Sequence, residues 1–98
     1  MERSQNKIAR TYTISGRVQG VGFRFFAERW ANQLGVRGYV KNCADGTVEV
    51  YAIGDQDALQ EFKRQLADGP RSAHVSRIDE REEDADKGYT AFLIDDRW

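Results

Sequence analysis

A glycine-rich run at residues 16–24, Gly-Arg-Val-Gln-Gly-Val-Gly-Phe-Arg, constrains the fold of this chain most. Alternating apolar residues precede it over residues 8–15, which predicts a half-buried strand. A helical pattern follows it over residues 23–34. The run therefore predicts a strand, a tight loop and the first turn of a helix. Free backbone N–H groups at a helix N-terminus favour an anion. We therefore infer that the loop binds a phosphate-like group and that Arg24 completes its charge shell.

The glycines alone do not single out an anion site. A tight strand-to-helix turn with a solvated arginine has the same composition, and on the glycines alone it is the simpler interpretation. The spacing does not match the dinucleotide-binding pattern G-x-G-x-x-G, and no Gly-Lys-Ser/Thr follows as it does in a P-loop. A second sequence feature is needed to decide between the two interpretations.

Strands and turns make up most of the remaining chain. Apolar residues alternate over residues 36–42 and 47–53, and the turn between them contains Asp-Gly, which together predict a hairpin. A fourth strand is predicted over residues 74–78 and a short last strand over residues 89–94. Like charges repel one another in the acidic run at residues 79–86, so we expect part of that run to form a solvated loop.

Two segments show the period of amphipathic helices. In the first, the apolar positions predicted to face the core are Phe23, Phe26, Ala27, Trp30 and Leu34. In the second, they are Ala58, Leu59, Phe62 and Leu66. Gly35 is placed to end the first helix. Asp55 can cap the N-terminus of the second helix, which Gly69 and Pro70 end.

The predicted order is strand, helix, strand, strand, helix, strand, with an extra short strand at the end. Two helices that each follow a strand pack on one face of a mainly antiparallel sheet. This is the ferredoxin-like split β-α-β plan of the α+β class. We expect residues 8–98 to form a single domain and residues 1–7 to be a flexible tail. The fold alone does not decide function, because enzymes, metal carriers and RNA binders share it.

Composition excludes several classes of function. The chain has 98 residues and a formal net charge of −1, so no overall basic field attracts nucleic acid. It has no apolar run long enough to span a membrane, and its polar start does not resemble a signal peptide. The single cysteine, Cys43, cannot form an internal disulfide, and with the single histidine, His74, it cannot form a usual zinc site. We expect a cytoplasmic monomer that uses no metal and no covalent nucleophile.

Asn42 is the polar residue at the end of the predicted second strand. In this fold that strand end can lie beside the loop that follows the first strand, which places Asn42 near the inferred anion site. An asparagine amide can both donate a hydrogen bond to a water molecule and accept one from it. The alternative is that Asn42 merely opens the turn that follows, where asparagine is common.

Two long motifs decide these alternatives, because they resemble the signatures of the acylphosphatase family. Residues 14–24, Ile-Ser-Gly-Arg-Val-Gln-Gly-Val-Gly-Phe-Arg, resemble the first signature. Residues 38–48, Gly-Tyr-Val-Lys-Asn-Cys-Ala-Asp-Gly-Thr-Val, continuing to Gly54, resemble the second. Phe92 and Ile94 resemble part of the final strand of the family. The resemblance covers nearly the whole chain, and it favours a site over a mere turn at both motifs.

The resemblance implies an enzyme that hydrolyses the carboxyl–phosphate bond of acyl phosphates, giving a carboxylate and inorganic phosphate without metal or cofactor. It implies that Asn42 orients the water and that Arg24 with the loop backbone holds the phosphoryl group. The implied phosphate-binding residues are Gln19, Gly20, Val21, Gly22, Phe23 and Arg24. The implied ligands are a small acyl phosphate and inorganic phosphate as product and inhibitor, with no nucleic acid and no membrane. Since the resemblance assigns no residue of either motif as a base, a phosphate oxygen of the substrate is a hypothetical proton acceptor.

A binding module without catalysis is the competing interpretation. RNA-recognition domains share this order of elements, and residues 37–40, Arg-Gly-Tyr-Val, are faintly similar to their basic-Gly-aromatic run. In RNA-recognition domains that run lies on the third strand together with further aromatic residues, whereas in this chain it lies on the second strand. The third predicted strand has only one aromatic residue, Tyr51. An accessory domain with an inactive site is a further alternative, which the intact Arg24 and Asn42 disfavour.

Overall fold

A computed structural model describes residues 7–96 of the chain. Most of the predicted flexible tail, residues 1–6, lies outside the described residues. The elements follow the predicted order, and they are β1 (Ile8–Arg17), α1 (Phe23–Leu34), β2 (Arg37–Asn42), β3 (Val48–Gly54), α2 (Gln56–Asp68), β4 (His74–Glu83) and β5 (Phe92–Asp95).

The five strands form one sheet in the order β4-β1-β3-β2-β5. All neighbouring pairs are antiparallel except β2 and β5, which are parallel. Both helices pack on this sheet, and their apolar residues share one core cluster with residues of the strands. The ferredoxin-like α+β prediction is confirmed.

Helix α1 packs on the core through a face that differs in part from the one that its sequence pattern predicts, because Ala31 is buried and Phe26 is not. Phe23, Ala27 and Ala31 are buried. Trp30 is only partly buried and packs at the edge of the core. The ring of Phe26 is half-buried and contacts Phe23 with its centroid 5.9 Å away. Of the three aromatic residues predicted to face the core, Phe23 is therefore in the core, whereas Phe26 and Trp30 are only partly buried.

The predicted end of α1 and the predicted start of α2 are both confirmed. Gly35 has the left-handed φ of 72° at the end of α1, and its N–H donates to the carbonyls of Ala31 and Asn32. The side chain of Asp55 accepts a 2.8 Å hydrogen bond from Ala58 N at the start of α2. Gly35 and Asp55 are both visible in the sequence, which is why the end of α1 and the start of α2 could be predicted.

Three tyrosines cover the other face of the sheet. The rings of Tyr39, Tyr51 and Tyr89 lie 5.6 to 6.1 Å apart, over a second small cluster that includes Ala9. The Tyr51 hydroxyl donates to Asp84 O and accepts from Asp86 N, which fixes the loop before β5. The prediction that the last strand begins at residue 89 is therefore wrong. Tyr89 packs against the sheet face, and β5 begins at Phe92.

Strand β4 is longer than the sequence pattern predicts, because it extends through the first half of the acidic run to Glu83. Its charges do not simply repel one another. Glu80 accepts hydrogen bonds from Arg10 Nε at 3.0 Å and from Lys63 Nζ at 2.7 Å. The bond from Lys63, with that from Arg10, lowers the pKa of the Glu80 carboxyl below its ordinary value of 4.5. Cations from β1 and α2 therefore allow this segment to join the sheet, and only residues 84–86 of the run lie outside a strand.

Candidate active site

The loop between β1 and α1 is fixed at one end by Val18, which is buried in the core at 1% exposure. Gly20 and Gly22 then adopt left-handed φ angles of 74° and 79°. A Cβ atom at either glycine would meet no other atom within 4 Å. The need for glycine is therefore conformational rather than steric, because other residues rarely adopt this backbone region.

The loop leads into the N-terminus of α1, which lacks the usual internal cap. Gly22 is the N-cap and provides no side-chain hydrogen bond, and the first turn of the helix has no acidic residue. The backbone N–H groups at the start of a helix have no partner within the helix, and the helix dipole adds a partial positive charge there. This arrangement suits an anion held by Phe23, Arg24 and the preceding loop.

The hairpin turn after β2 places Asn42. Asn42 pairs with Val48 at the last position of the β2–β3 ladder. Cys43 N donates to Thr47 O at 2.9 Å and closes the turn immediately beyond it. The Asp45 carboxylate accepts from the hydroxyl and the N–H of Thr47, at 2.7 and 3.0 Å, and these bonds lower the pKa of the Asp45 carboxyl. Asn42 is therefore held at a rigid strand end.

The side chain of Gln19 joins the loop to this hairpin. Its Nε2 donates to Cys43 O at 2.8 Å and to Thr47 O at 2.9 Å. The family resemblance implies only a backbone role for Gln19. The hydrogen bonds span 24 and 28 residues along the chain, so no local sequence signal indicates them. They fix the distance between the two motifs that the sequence singles out.

A cavity of about 90 Å³ lies where the loop, the helix N-terminus and the strand end meet. Its lining consists of Val18, Gly20, Gly22, Phe23, Arg24, Phe25 and Asn42. The fold thus brings Arg24 and Asn42 to one cavity, as the sequence analysis expected. Gln19 and Val21 do not line it. Gln19 supports the loop from the hairpin side, and Val21 is partly buried against the core.

Arg24 has a partner that the sequence analysis did not identify. Its Nη1 donates a 2.6 Å hydrogen bond to Asp96 Oδ1, and the side chain of Arg24 is 31% exposed against 79% for Asp96. The parallel pairing of β5 with β2 aligns Asp95 with Lys41, next to Asn42, and Asp96 directly follows β5. The place of the last strand in the sheet was the missing information, because the sequence does not define it.

The lone histidine and the lone cysteine of the chain do not line this cavity. His74 is exposed at the start of β4, where it pairs with Arg17. Cys43 is a free, partly exposed thiol in the hairpin turn. Within residues 7–96 no group of three or more His, Cys, Asp or Glu side chains could hold a metal ion. No helix in the same range is long and apolar enough to cross a membrane.

Comparisons with known proteins agree on one family. The family model described as acylphosphatase matches residues 10–94. An acylphosphatase from a Nocardioides species is 49% identical over 82 residues, which cover 84% of this chain and 82% of that protein. An acylphosphatase from Actinobacillus succinogenes is 46% identical over 88 residues, which cover 90% of this chain and 98% of that protein.

A solved structure shows the same likeness in three dimensions. The crystal structure of acylphosphatase from Bacillus subtilis matches with a TM-score of 0.85 at 37% sequence identity, covering 89% of this chain and 97% of that one. The family model and the relatives cover most of the chain, and the fold agrees with them. The chain belongs to the acylphosphatase family.

Proposed function

We propose that this chain is an enzyme that hydrolyses acyl phosphates, R–CO–O–PO₃²⁻, to a carboxylate and inorganic phosphate. The observation that carries the proposal is the shared cavity of Arg24, the loop before α1 and Asn42. Membership in the acylphosphatase family supports the reaction type. The division of work among the residues rests on the geometry and on the chemistry of phosphoryl transfer.

The phosphoryl group is held by the loop and by Arg24. Backbone N–H groups at the start of α1 and the guanidinium of Arg24 present positive charge to its oxygens. These donors are fixed before the substrate arrives, because the left-handed glycines and the hydrogen bonds of Gln19 set the loop. Preorganised donors stabilise the charge of a transition state without the cost of reorientation.

Asn42 orients the attacking water. Its amide can accept a hydrogen bond from the water and donate one to it or to a phosphoryl oxygen. In the proposed step, the water oxygen forms a bond to phosphorus while the bond from phosphorus to the acyl oxygen breaks. The carboxylate leaves with the electron pair of that bond. Its conjugate acid has a pKa of about 4, so it departs without a general acid.

The proton of the attacking water passes to a phosphoryl oxygen of the substrate. The cavity lining supports this part of the proposal, because it consists of apolar residues, glycines, Arg24 and Asn42 and includes no Asp, Glu or His. A guanidinium stays protonated and cannot serve as the base. The carboxylate of Asp96, outside this lining, already accepts a hydrogen bond from Arg24.

Metal independence is part of the proposal, and one assay tests it together with the activity. Purified protein is treated with EDTA, and the loss of benzoyl phosphate is followed in the ultraviolet. We expect hydrolysis with full activity in the chelator, since Arg24 and the loop N–H groups supply the positive charge. No hydrolysis with or without added Mg²⁺ would favour the binding-module alternative. Activity that appears only with added metal would contradict metal independence.

A further inference from the structure

The active-site cavity is too small for a whole acyl phosphate. Its volume is about 90 Å³, whereas a protein cavity that takes up a benzene ring measures about 150 Å³. Arg24 and Asn42 both line this small space, so we place the phosphoryl group and the attacking water inside it. The acyl group must therefore lie outside the cavity, against the side chains at the mouth of the cavity.

Phe25 is the large apolar side chain at that mouth. It lines the cavity, yet 68% of it is exposed. It follows Arg24 directly on the first turn of α1, and it does not belong to either cluster of the core. Among residues 7–96 the other large hydrophobic side chain that is so exposed is Leu93, at 52%. The ring of Phe25 is thus available to a ligand and is not needed for packing.

We propose that Phe25 contacts the acyl group of the substrate and gives the site a preference for aromatic and extended apolar acyl groups. This inference rests on the proposed function. The physical reason is that a ring at the mouth loses its contact with water when a second ring stacks on it or meets its edge. A short acyl group such as acetyl offers little area to this contact. Phe25 is a specificity-determining residue in this account, and Arg24 and Asn42 carry the reaction.

The test compares two substrates in the intact protein. The ratio of kcat/KM for benzoyl phosphate to kcat/KM for acetyl phosphate is measured for the wild type and for Phe25→Ala. We expect the ratio to fall by about 3- to 10-fold in Phe25→Ala, which is the range of an aromatic contact. Folding is not at risk, because the side chain is exposed and alanine favours a helix. Leu93→Ala is the control, since it removes the other largely exposed apolar side chain, which lies outside the cavity lining, and its ratio should equal that of the wild type.

The outcomes separate this inference from the proposed function. If the wild type hydrolyses both substrates and Phe25→Ala leaves their ratio unchanged, the inference is overturned and the proposed function stands. If the wild type hydrolyses neither substrate, the proposed function fails and the inference fails with it. Inhibition by inorganic phosphate reports on the cavity alone, because phosphate has no acyl group. A lower ratio accompanied by weaker phosphate inhibition would indicate a damaged cavity, and it would also overturn the inference.

Discussion

Replacing Arg24 with alanine is expected to lower kcat/KM for benzoyl phosphate by about 10³-fold or more, and to abolish inhibition by inorganic phosphate. Arginines that contact a transferring phosphoryl group contribute about 10³- to 10⁵-fold to the rate. Arg24 is the cationic side chain of the cavity lining. Its loss therefore removes the guanidinium charge from both the bound phosphate and the transition state. Steady-state kinetics with phosphate as competitor measures both effects.

The lysine variant separates the charge of Arg24 from its shape. Arg24→Lys keeps a positive charge but loses the planar fork, which can bond Asp96 and a phosphoryl oxygen at the same time. We expect it to recover phosphate inhibition in part while kcat remains far below that of the wild type. Arg29→Ala is the matched control, because Arg29 is an exposed arginine on the same helix outside the cavity lining. Normal phosphate inhibition in Arg24→Ala would show that Arg24 does not hold the phosphate.

Replacing Asn42 with alanine is expected to lower kcat by about 10²- to 10³-fold, the usual effect of losing one oriented hydrogen-bonding group in a preorganised site. The affinity for inorganic phosphate should change little. The physical reason is the division of contacts, since the loop and Arg24 hold the phosphoryl group and Asn42 acts on the water. Measuring kcat together with the inhibition constant of phosphate distinguishes orientation from binding.

Two further variants test the role of Asn42: a substitution by its close isostere, aspartate, and a control substitution of an asparagine on α1. Asn42→Asp keeps the size but replaces the N–H donor with a negative charge beside the phosphate, so it should weaken both turnover and phosphate binding. Asn32→Ala removes an exposed asparagine that lies outside the cavity, and it should behave as the wild type. If Asn42→Ala lost turnover and phosphate affinity to the same extent, Asn42 would be a binding residue rather than one that orients the water.

Local sequence patterns were sufficient to predict the order of elements and the bounds of α1. The glycine-rich run before Phe23 and the breaker at Gly35 are local, so the sequence shows them directly. The end of β4 could not be predicted in this way. Glu80 is stabilised by Arg10 and Lys63, which lie 70 and 17 residues away in the sequence. Similarly, Tyr89 lies outside the last strand because its ring packs against Tyr39 of β2 and Tyr51 of β3.

The candidate site shows the same division between local and long-range information. Arg24 and Asn42 could be identified because each lies in a long motif, and the ferredoxin-like plan explains why the two motifs meet. The side-chain bonds of Gln19 and the ion pair of Asp96 depend on how the loop, the hairpin and β5 meet in space. The partner strand of β5 is not encoded in any local pattern. The supporting contacts of the site therefore emerge only from the folded structure.

Hydrolysis in oxygen-18-labelled water shows whether the water attacks the phosphorus or the carbonyl carbon of the substrate. Benzoyl phosphate is hydrolysed by the wild-type protein in labelled water, and the label in both products is measured by mass spectrometry. Attack at phosphorus, by a water beside Asn42 on a phosphoryl group held by Arg24, predicts that the label enters inorganic phosphate. Label in the benzoate would mean that the water attacks the carbonyl carbon, and it would contradict the account.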